Sequence, residues 1–212
     1  MNRTLYGYWR STAAYRVRIA LAWKNLPYES IAVDLRGGEQ SSSAYTAVNP
    51  QGFVPFFVDG VARLGQSLAI IEYLEDAYAG ASLLPKSALE RARVRALAQV
   101  VACDVHPLNN LRVLKYLANP LNHEQPVAET WARHWIDRGF AVLEAQASRT
   151  GPYLTGDEVT LADVCLVPQF YNARRVSTDL SKYPRLLAIE SKLTGLAAFQ
   201  AARPEVQPDA PR

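Results

Sequence analysis

The sequence predicts an α+β N-terminal domain followed by an all-α C-terminal domain, on three observations. The first eighty residues read as β-α-β and then β-β-α. A bridge of small residues with one proline, "AGASLLPKSA", then interrupts the pattern. After it, strand-like runs disappear and apolar residues recur at helical spacing. The predicted boundaries are residues 1–80, a linker over 81–88, and a helical domain over 89–212.

Residues 4–9, "TLYGYW", are short and aromatic-rich, the habit of a buried strand that stops at the Arg10-Ser11-Thr12 turn. In the next stretch Ala13, Val17, Ala20 and Leu21 fall at i, i+4, i+7 and i+8, which predicts a helix, with Arg16, Arg18 and Lys24 mostly off that stripe. "YESIAVDL" alternates as a second strand. The loop that follows is rich in Gly, Ser and Asn, with a short helix expected near Ser43–Ala47. "VPFFV" and "VARL", separated by Asp59-Gly60, predict a hairpin with a type I′ turn. "QSLAIIEYLEDAY" then places Leu68, Ile71, Leu74 and Tyr78 at helical spacing behind Ser67 as N-cap.

In the second half a long helix from about Leu89 runs into Pro107, whose missing N–H should kink it near Cys103–His106. Further helices are expected around 126–148, 160–176 and 183–199. In "GDEVTLADVCLV", Thr160 and Asp163 form a capping-box pair, and Val159 and Val164 are spaced as a hydrophobic staple. The tail "RPEVQPDAPR" is proline-rich and need not fold.

Composition narrows the function classes. Of 212 residues, 49% are hydrophobic, enough for a full core, and 23 basic against 20 acidic residues give a net charge of +3. That balance excludes a dedicated nucleic-acid binder and leaves room for local basic pockets. Two cysteines, Cys103 and Cys165, lie in apolar helical contexts, so free core thiols and a reducing, cytoplasmic setting are expected. The N-terminus lacks the apolar core of a signal peptide, and no membrane span is expected. A Cys-x-x-His pair without a second pair is poor support for a metal, and none is expected.

At the foot of the first helix two hydroxyls, Ser11 and Thr12, are ringed by Arg10, Arg16 and Arg18, an arrangement that calls for an anion. His106, Asn109 and Asn110 project to one side of an otherwise apolar helix, with Arg112 at the edge of the polar patch. Polar groups there need partners.

Together, "YWRSTAAYRVRIAL", "NPQGFVPFFVDG", "QSLAIIEYLE", "CDVHPLNNLRVLKYL", "GDEVTLADVCLVPQ" and "NARRVSTDLSKYPRL" resemble the zeta class of glutathione transferases over nearly the whole chain. The Arg-Ser-x-x-x-x-Arg-Val-Arg opening and the His-Pro-Leu-Asn-Asn stretch carry the class. The resemblance implies a thioredoxin-like N-terminal domain, a helical C-terminal domain, a homodimer, and glutathione as cofactor. It further implies a glutathione-dependent cis–trans isomerase of a maleyl keto acid, maleylacetoacetate or maleylpyruvate. Two rivals are a zeta-like transferase that conjugates or dehalogenates small electrophiles and a non-catalytic interaction module.

A thiol of reference pKa near 8.5 is only a few per cent ionised at pH 7, and lowering it by about two units takes roughly 2.7 kcal/mol. A hydrogen bond to a charged acceptor supplies about 1.5–3 kcal/mol and a helix N-terminus about 0.3–1, or up to roughly 2 when partly buried. Ser11 or Thr12 with the first helix meets that need, and by resemblance Ser11 is the activating serine. Tyr8 is the rival, since other classes use a tyrosine at the end of the first strand. The family pattern continues Ser-x-Cys, whereas Ala13 stands in the cysteine position here. That departure bears on thiol-dependent side reactions such as dehalogenation more than on isomerisation.

The resemblance also makes the Val54-Pro55 peptide cis, with the Val54 backbone pairing with the cysteinyl part of glutathione. Gln66-Ser67 at the start of a helix is a seat for the γ-glutamyl carboxylate, and Gln51 and Gln40 lie in loops that contact the rest of the tripeptide. His106, Asn110 and Arg112 flank thiol and substrate. Arg10 and Arg175 face the electrophile, so a dicarboxylic substrate suits their planar forks.

Overall fold

A computed structural model describes residues 3–211, with Gln125 described by its backbone alone. The residues form two compact units, one reaching to Ser82 and taking in the chain from Leu196 onward, the other spanning Leu83–Gly195.

The first unit holds a four-stranded sheet in the order β2-β1-β3-β4, made of β1 (Arg3–Gly7), β2 (Glu29–Ala32), β3 (Phe56–Asp59) and β4 (Ala62–Gly65). β1 runs parallel to β2 and antiparallel to β3, and β3 and β4 form the hairpin. Its turn is Gly60-Val61, not Asp59-Gly60: Asp59 pairs with Ala62, and Gly60 has φ +59° while Val61 has no positive φ. A glycine at the first central position suits a type II′ turn. The one-residue shift has a cause outside the hairpin. Asp59 is held in the ladder opposite Arg3, whose Nε lies 3.7 Å away, and its carboxylate accepts from the hydroxyls of Tyr73 at 3.2 Å and of Tyr78.

Helix α1 (Thr12–Trp23) is buried along Thr12–Leu21, its arginines included, because it packs against α3 (Ser67–Ala77) and α9 (Ala197–Ala202). Arg18, off the apolar stripe, donates to the carbonyls of Trp9 at 3.0 Å and Ala202 at 3.0 Å. A buried guanidinium is tolerated when its donors find acceptors, and backbone carbonyls supply them here. The expected helix over 183–199 is therefore two helices, α8 (Pro184–Thr194) in the second unit and α9 in the first, divided at Gly195-Leu196. The tail corrects the sequence reading too. It joins the first unit with a short 3-10 turn at Pro204–Val206, and Asp209 Oδ2 accepts the Trp9 N–H at 2.8 Å. Ser67 is the first residue of α3 rather than its cap, a position taken by Gln66. A short α2 (Ser43–Val48) lies close to the expected position, capped by Ser42.

The second unit is helical: α4 (Ala88–Gln99), α5 (Leu111–Ala118), α6 (Gln125–Gln146), α7 (Leu161–Arg175) and α8. The break before Pro107 takes the form of a π-helical segment, Val100–Val105, in which the His106 N–H reaches back five residues to the Val101 carbonyl at 2.8 Å. α6 packs on that segment at Gly139, where a Cβ would lie 2.2 Å from Val105 Cγ2, so only glycine allows the approach. Phe140 and Phe170 meet with ring centroids 4.8 Å apart in the core. The capping box at the start of α7 forms as predicted, with Val159 and Val164 both buried. Cys165 is a core thiol, but Cys103, on the π-helical segment, is exposed. No helix among the described residues is long and apolar enough to cross a membrane.

Candidate active site

In the first unit predicted site residues stand at the starts of two helices, α1 and α3. Ser11 caps α1: its Oγ accepts the Ala14 N–H at 3.2 Å and its own N–H donates to the Tyr8 carbonyl at 2.9 Å. A serine hydroxyl has two acceptor positions and one donor hydrogen. Capping uses an acceptor, so the O–H can still turn toward an anion, and capping and thiol activation are compatible roles. Ser11 is partly exposed, whereas Thr12 is buried in the first turn and Tyr8 is packed beside Trp9 with centroids 5.9 Å apart. Of the three candidates for the thiol, Ser11 is the accessible one. Arg10 is also partly exposed, its guanidinium 5.7 Å from the Trp9 ring.

Around α3 the predicted glutathione residues form a connected group. Gln66 Nε2 donates to Gln51 Oε1 at 3.0 Å, and Gln66 adopts φ +66°, a conformation that non-glycine residues rarely take. Gly52, at φ +64°, lies where a Cβ would come within 3.0 Å of the Gln40 carbonyl, which brings the Gln40 loop against the Gln51 loop. The Phe53 carbonyl is fixed by the Tyr45 hydroxyl at 2.7 Å and Asn49 Nδ2 at 2.8 Å, and Val54-Pro55 follows with a cis peptide. Burial pushes the Tyr45 hydroxyl up to about 12, so it stays a donor throughout the physiological range.

Arg16, expected near the anion, is 1% exposed and donates to Ser67 Oγ at 3.2 Å. It sets a positive charge beneath the start of α3, and nothing in its local spacing reveals a partner fifty-one residues on.

An apolar groove of about 730 Å³ at the other end of α1, between Trp23, Leu26, Tyr28 and Ala198, includes none of the predicted site residues.

In the second unit His106, Asn109 and Asn110 do not share a helix face. They lie in the turn between the π-helical segment and α5, because Pro107 ends the helix and Asn110 starts the next one by accepting the Arg112 N–H at 3.1 Å. His106 and Asn110 are partly exposed and Arg112 is exposed. Asn109 is buried, and Asn172 Nδ2 of α7 donates to its Oδ1 at 2.9 Å. Arg175, exposed in the last turn of α7, donates to Asn172 Oδ1 at 3.3 Å. Its neighbour Arg174 is committed elsewhere, with Nη2 2.6 Å from Glu190 Oε2 and Nη1 on the other oxygen, which raises its pKa further. The sequence motifs do not single out Asn172, though "QFYNARR" carries a signal: Gln169, Asn172 and Arg175 recur every third residue in an apolar helix.

The family model for the glutathione S-transferase N-terminal domain matches residues 5–82, and that for the C-terminal domain matches residues 125–198. The chain is 51% identical to the "Probable maleylacetoacetate isomerase" of Vibrio cholerae serotype O1, over 99% of both chains. Among solved structures it resembles a holo maleylpyruvate isomerase described as a bacterial glutathione S-transferase of the zeta class. That match has TM-score 0.96 and 44% identity and covers 98% of this chain and 100% of the other. The maleylacetoacetate isomerase of Methylobacterium extorquens AM1, with bound malonate and glutathione, matches with TM-score 0.95 and 40% identity over 99% and 100% of the two chains. The chain belongs to the glutathione S-transferase family, in its zeta class.

Proposed function

We propose that the protein is a glutathione-dependent cis–trans isomerase of a maleyl keto acid, maleylacetoacetate or maleylpyruvate, acting as a homodimer in the cytoplasm. The observation that carries the reading is the start of α1, where Ser11 caps the helix and keeps a hydroxyl hydrogen for an anion, in a chain that matches maleyl keto acid isomerases over its full length. A relative with bound malonate and glutathione supports a dicarboxylic substrate.

The residues present fit glutathione. Two helix N-termini offer N–H groups to anions, Ser67 has the buried Arg16 behind it, and Gln51 and Gln66 present amides at the same place. Bound glutathione supplies a thiolate that adds reversibly to the cis double bond conjugated to the ketone and is released unchanged once the bond has turned to trans. Ser11 stabilises negative charge at the start of α1, by its hydroxyl and the helix dipole together. Arg10, Arg112 and Arg175 meet the substrate carboxylates and the charge that develops on the ketone oxygen. Val54, Gln40, Gln51, Gln66 and Ser67 bind the tripeptide, and His106 and Asn110 flank it.

The test is an assay of both maleyl keto acids with and without glutathione, following loss of the conjugated chromophore. Turnover should require glutathione and consume none; net consumption would turn the reading toward conjugation. Arg10→Ala or Arg175→Ala should each lower kcat/KM by roughly ten- to a hundredfold for the dicarboxylates and far less for a neutral chloronitroarene. Light scattering at micromolar concentration should give twice the chain mass.

A further inference from the structure

The side chains behind Arg175 form a directional chain. Asn172 is 7% exposed and Asn109 6% exposed, so the hydrogen bond between them is made inside the protein. The Asn172 amide has a donor end and an acceptor end. Its Nδ2 is engaged by Asn109 Oδ1 at 2.9 Å, which leaves Oδ1 as the end that faces Arg175 Nη1 at 3.3 Å. Turned over, the amide would present N–H to a guanidinium, which only donates. The donor-only guanidinium thus fixes the sense of the Asn172 amide, whose other end is tied to Asn109, and the tied amide gives the guanidinium its direction. Arg174, one residue earlier, shows the alternative: a carboxylate grips its fork from both sides and cancels its charge. An amide can hold a guanidinium without competing for the anion it is meant to bind.

We propose that Asn172, tied to Asn109 by a hydrogen bond, is a positioning residue that aims Arg175 at the substrate carboxylate. This rests on the reading of Arg175 as substrate-facing. Asn109 lies in the same turn as His106 and Asn110, so the chain also ties the end of α7 to the turn that carries two other predicted site residues.

The experiment measures kcat and KM for the maleyl keto acid and, by calorimetry, the affinity of the protein for glutathione and of the glutathione-loaded protein for malonate. Its variants are Arg175→Ala, Asn172→Ala, the double variant and Asn172→Asp. Arg175→Ala should weaken malonate binding by about tenfold or more, and Asn172→Ala by about three- to tenfold, with a matching rise in KM. Neither should change glutathione affinity. In the Arg175→Ala background the Asn172→Ala effect should vanish, because a residue that acts through the guanidinium has nothing left to aim. Asn172→Asp keeps the acceptor, and Asn109 can turn its Nδ2 toward the new oxygen, so the fold survives. Its charge should compete for Arg175 and weaken malonate at least as much as Asn172→Ala does, which carries the test if Asn172→Ala is recovered unfolded. Additive losses in the double variant, or an Asn172 effect on glutathione affinity equal to that on malonate, would overturn the proposal. Full malonate affinity in both Asn172 variants, with loss in Arg175→Ala, would overturn it while leaving Arg175 in place. Full affinity in Arg175→Ala would remove the underlying reading as well.

Discussion

Helices α1 and α7 both begin at a hydroxyl side chain, Ser11 in one and Thr160 in the other, and the two ends are closed differently. At α7 the protein supplies its own anion. Asp163 accepts the Thr160 N–H at 2.8 Å, the Thr160 hydroxyl at 2.9 Å and the Leu154 N–H at 2.8 Å, with none of its surface exposed. At α1 there is no acid in the first turn, and Ser11 satisfies a single N–H. One helix start is closed by a carboxylate of the chain itself, while at the other Ser11 keeps a hydroxyl hydrogen, the feature on which its proposed role toward the thiol rests. Under that proposal the same dipole serves packing in one place and chemistry in the other.

The comparison breaks most sharply at Ser11. Ser11→Ala should leave glutathione affinity nearly intact while raising the pKa of the bound thiol and slowing turnover by about tenfold to a thousandfold, the range for losing a stabilising donor. Loss of the cap should also cost about 1 kcal/mol of stability. Tyr8→Phe should change little, since that ring is packed away beside Trp9. A thiol titration followed by absorbance, with steady-state rates, separates the two, and the reverse ranking would move the activating role to Tyr8.

At α7 the acid shifts the other way. Burial pushes the Asp163 carboxyl from 3.8 up to about 6, against the pull of its hydrogen bonds. The folded chain then holds this proton more tightly than the unfolded chain. The resulting stabilisation is fully present below about pH 4 and is lost as pH rises through about 6, to a total of about 3 kcal/mol. Asp163→Asn cannot titrate. The stability advantage of the parent over this variant, measured by chemical unfolding, should therefore shrink between pH 4 and pH 7. An advantage that grows with pH would mean that the hydrogen bonds outweigh burial at this end.

What was legible in the sequence follows from distance along the chain. The capping box at Thr160–Asp163 spans three residues, Ser11 sits at its own helix start, and Pro107 marks the break before His106; each is a local signal. The hairpin turn lies one residue beyond the position its local pattern predicts, because Arg3, fifty-six residues upstream, decides where Asp59 sits. The tail's order is invisible in its own composition because Asp209 finds its partner, Trp9, at the other end of the chain. Asn172 shows both kinds of information. Its spacing from Arg175 is visible, but its pairing with Asn109 across sixty-three residues is not.

The smallest expected effect lies where that long-range tie meets the open helix start. Asp209 accepts the Trp9 N–H, two residues before Ser11, so it steadies the turn from which Ser11 emerges. Arg18 grips the same turn through the carbonyls of Trp9 at 3.0 Å and Tyr8 at 3.5 Å, and Ser11 N–H closes it on Tyr8. Because two of these three ties survive, Asp209→Ala should cost about 1 kcal/mol of stability, the net value of one hydrogen bond, and slow turnover no more than about threefold. The bound thiol pKa should stay put, since the Ser11 hydroxyl and the α1 dipole are untouched. Thermal unfolding, the thiol titration and the rate, measured on one preparation, check all three. A rise in thiol pKa approaching that of Ser11→Ala would show that the tail, and not α1 alone, sustains the proposed role of Ser11.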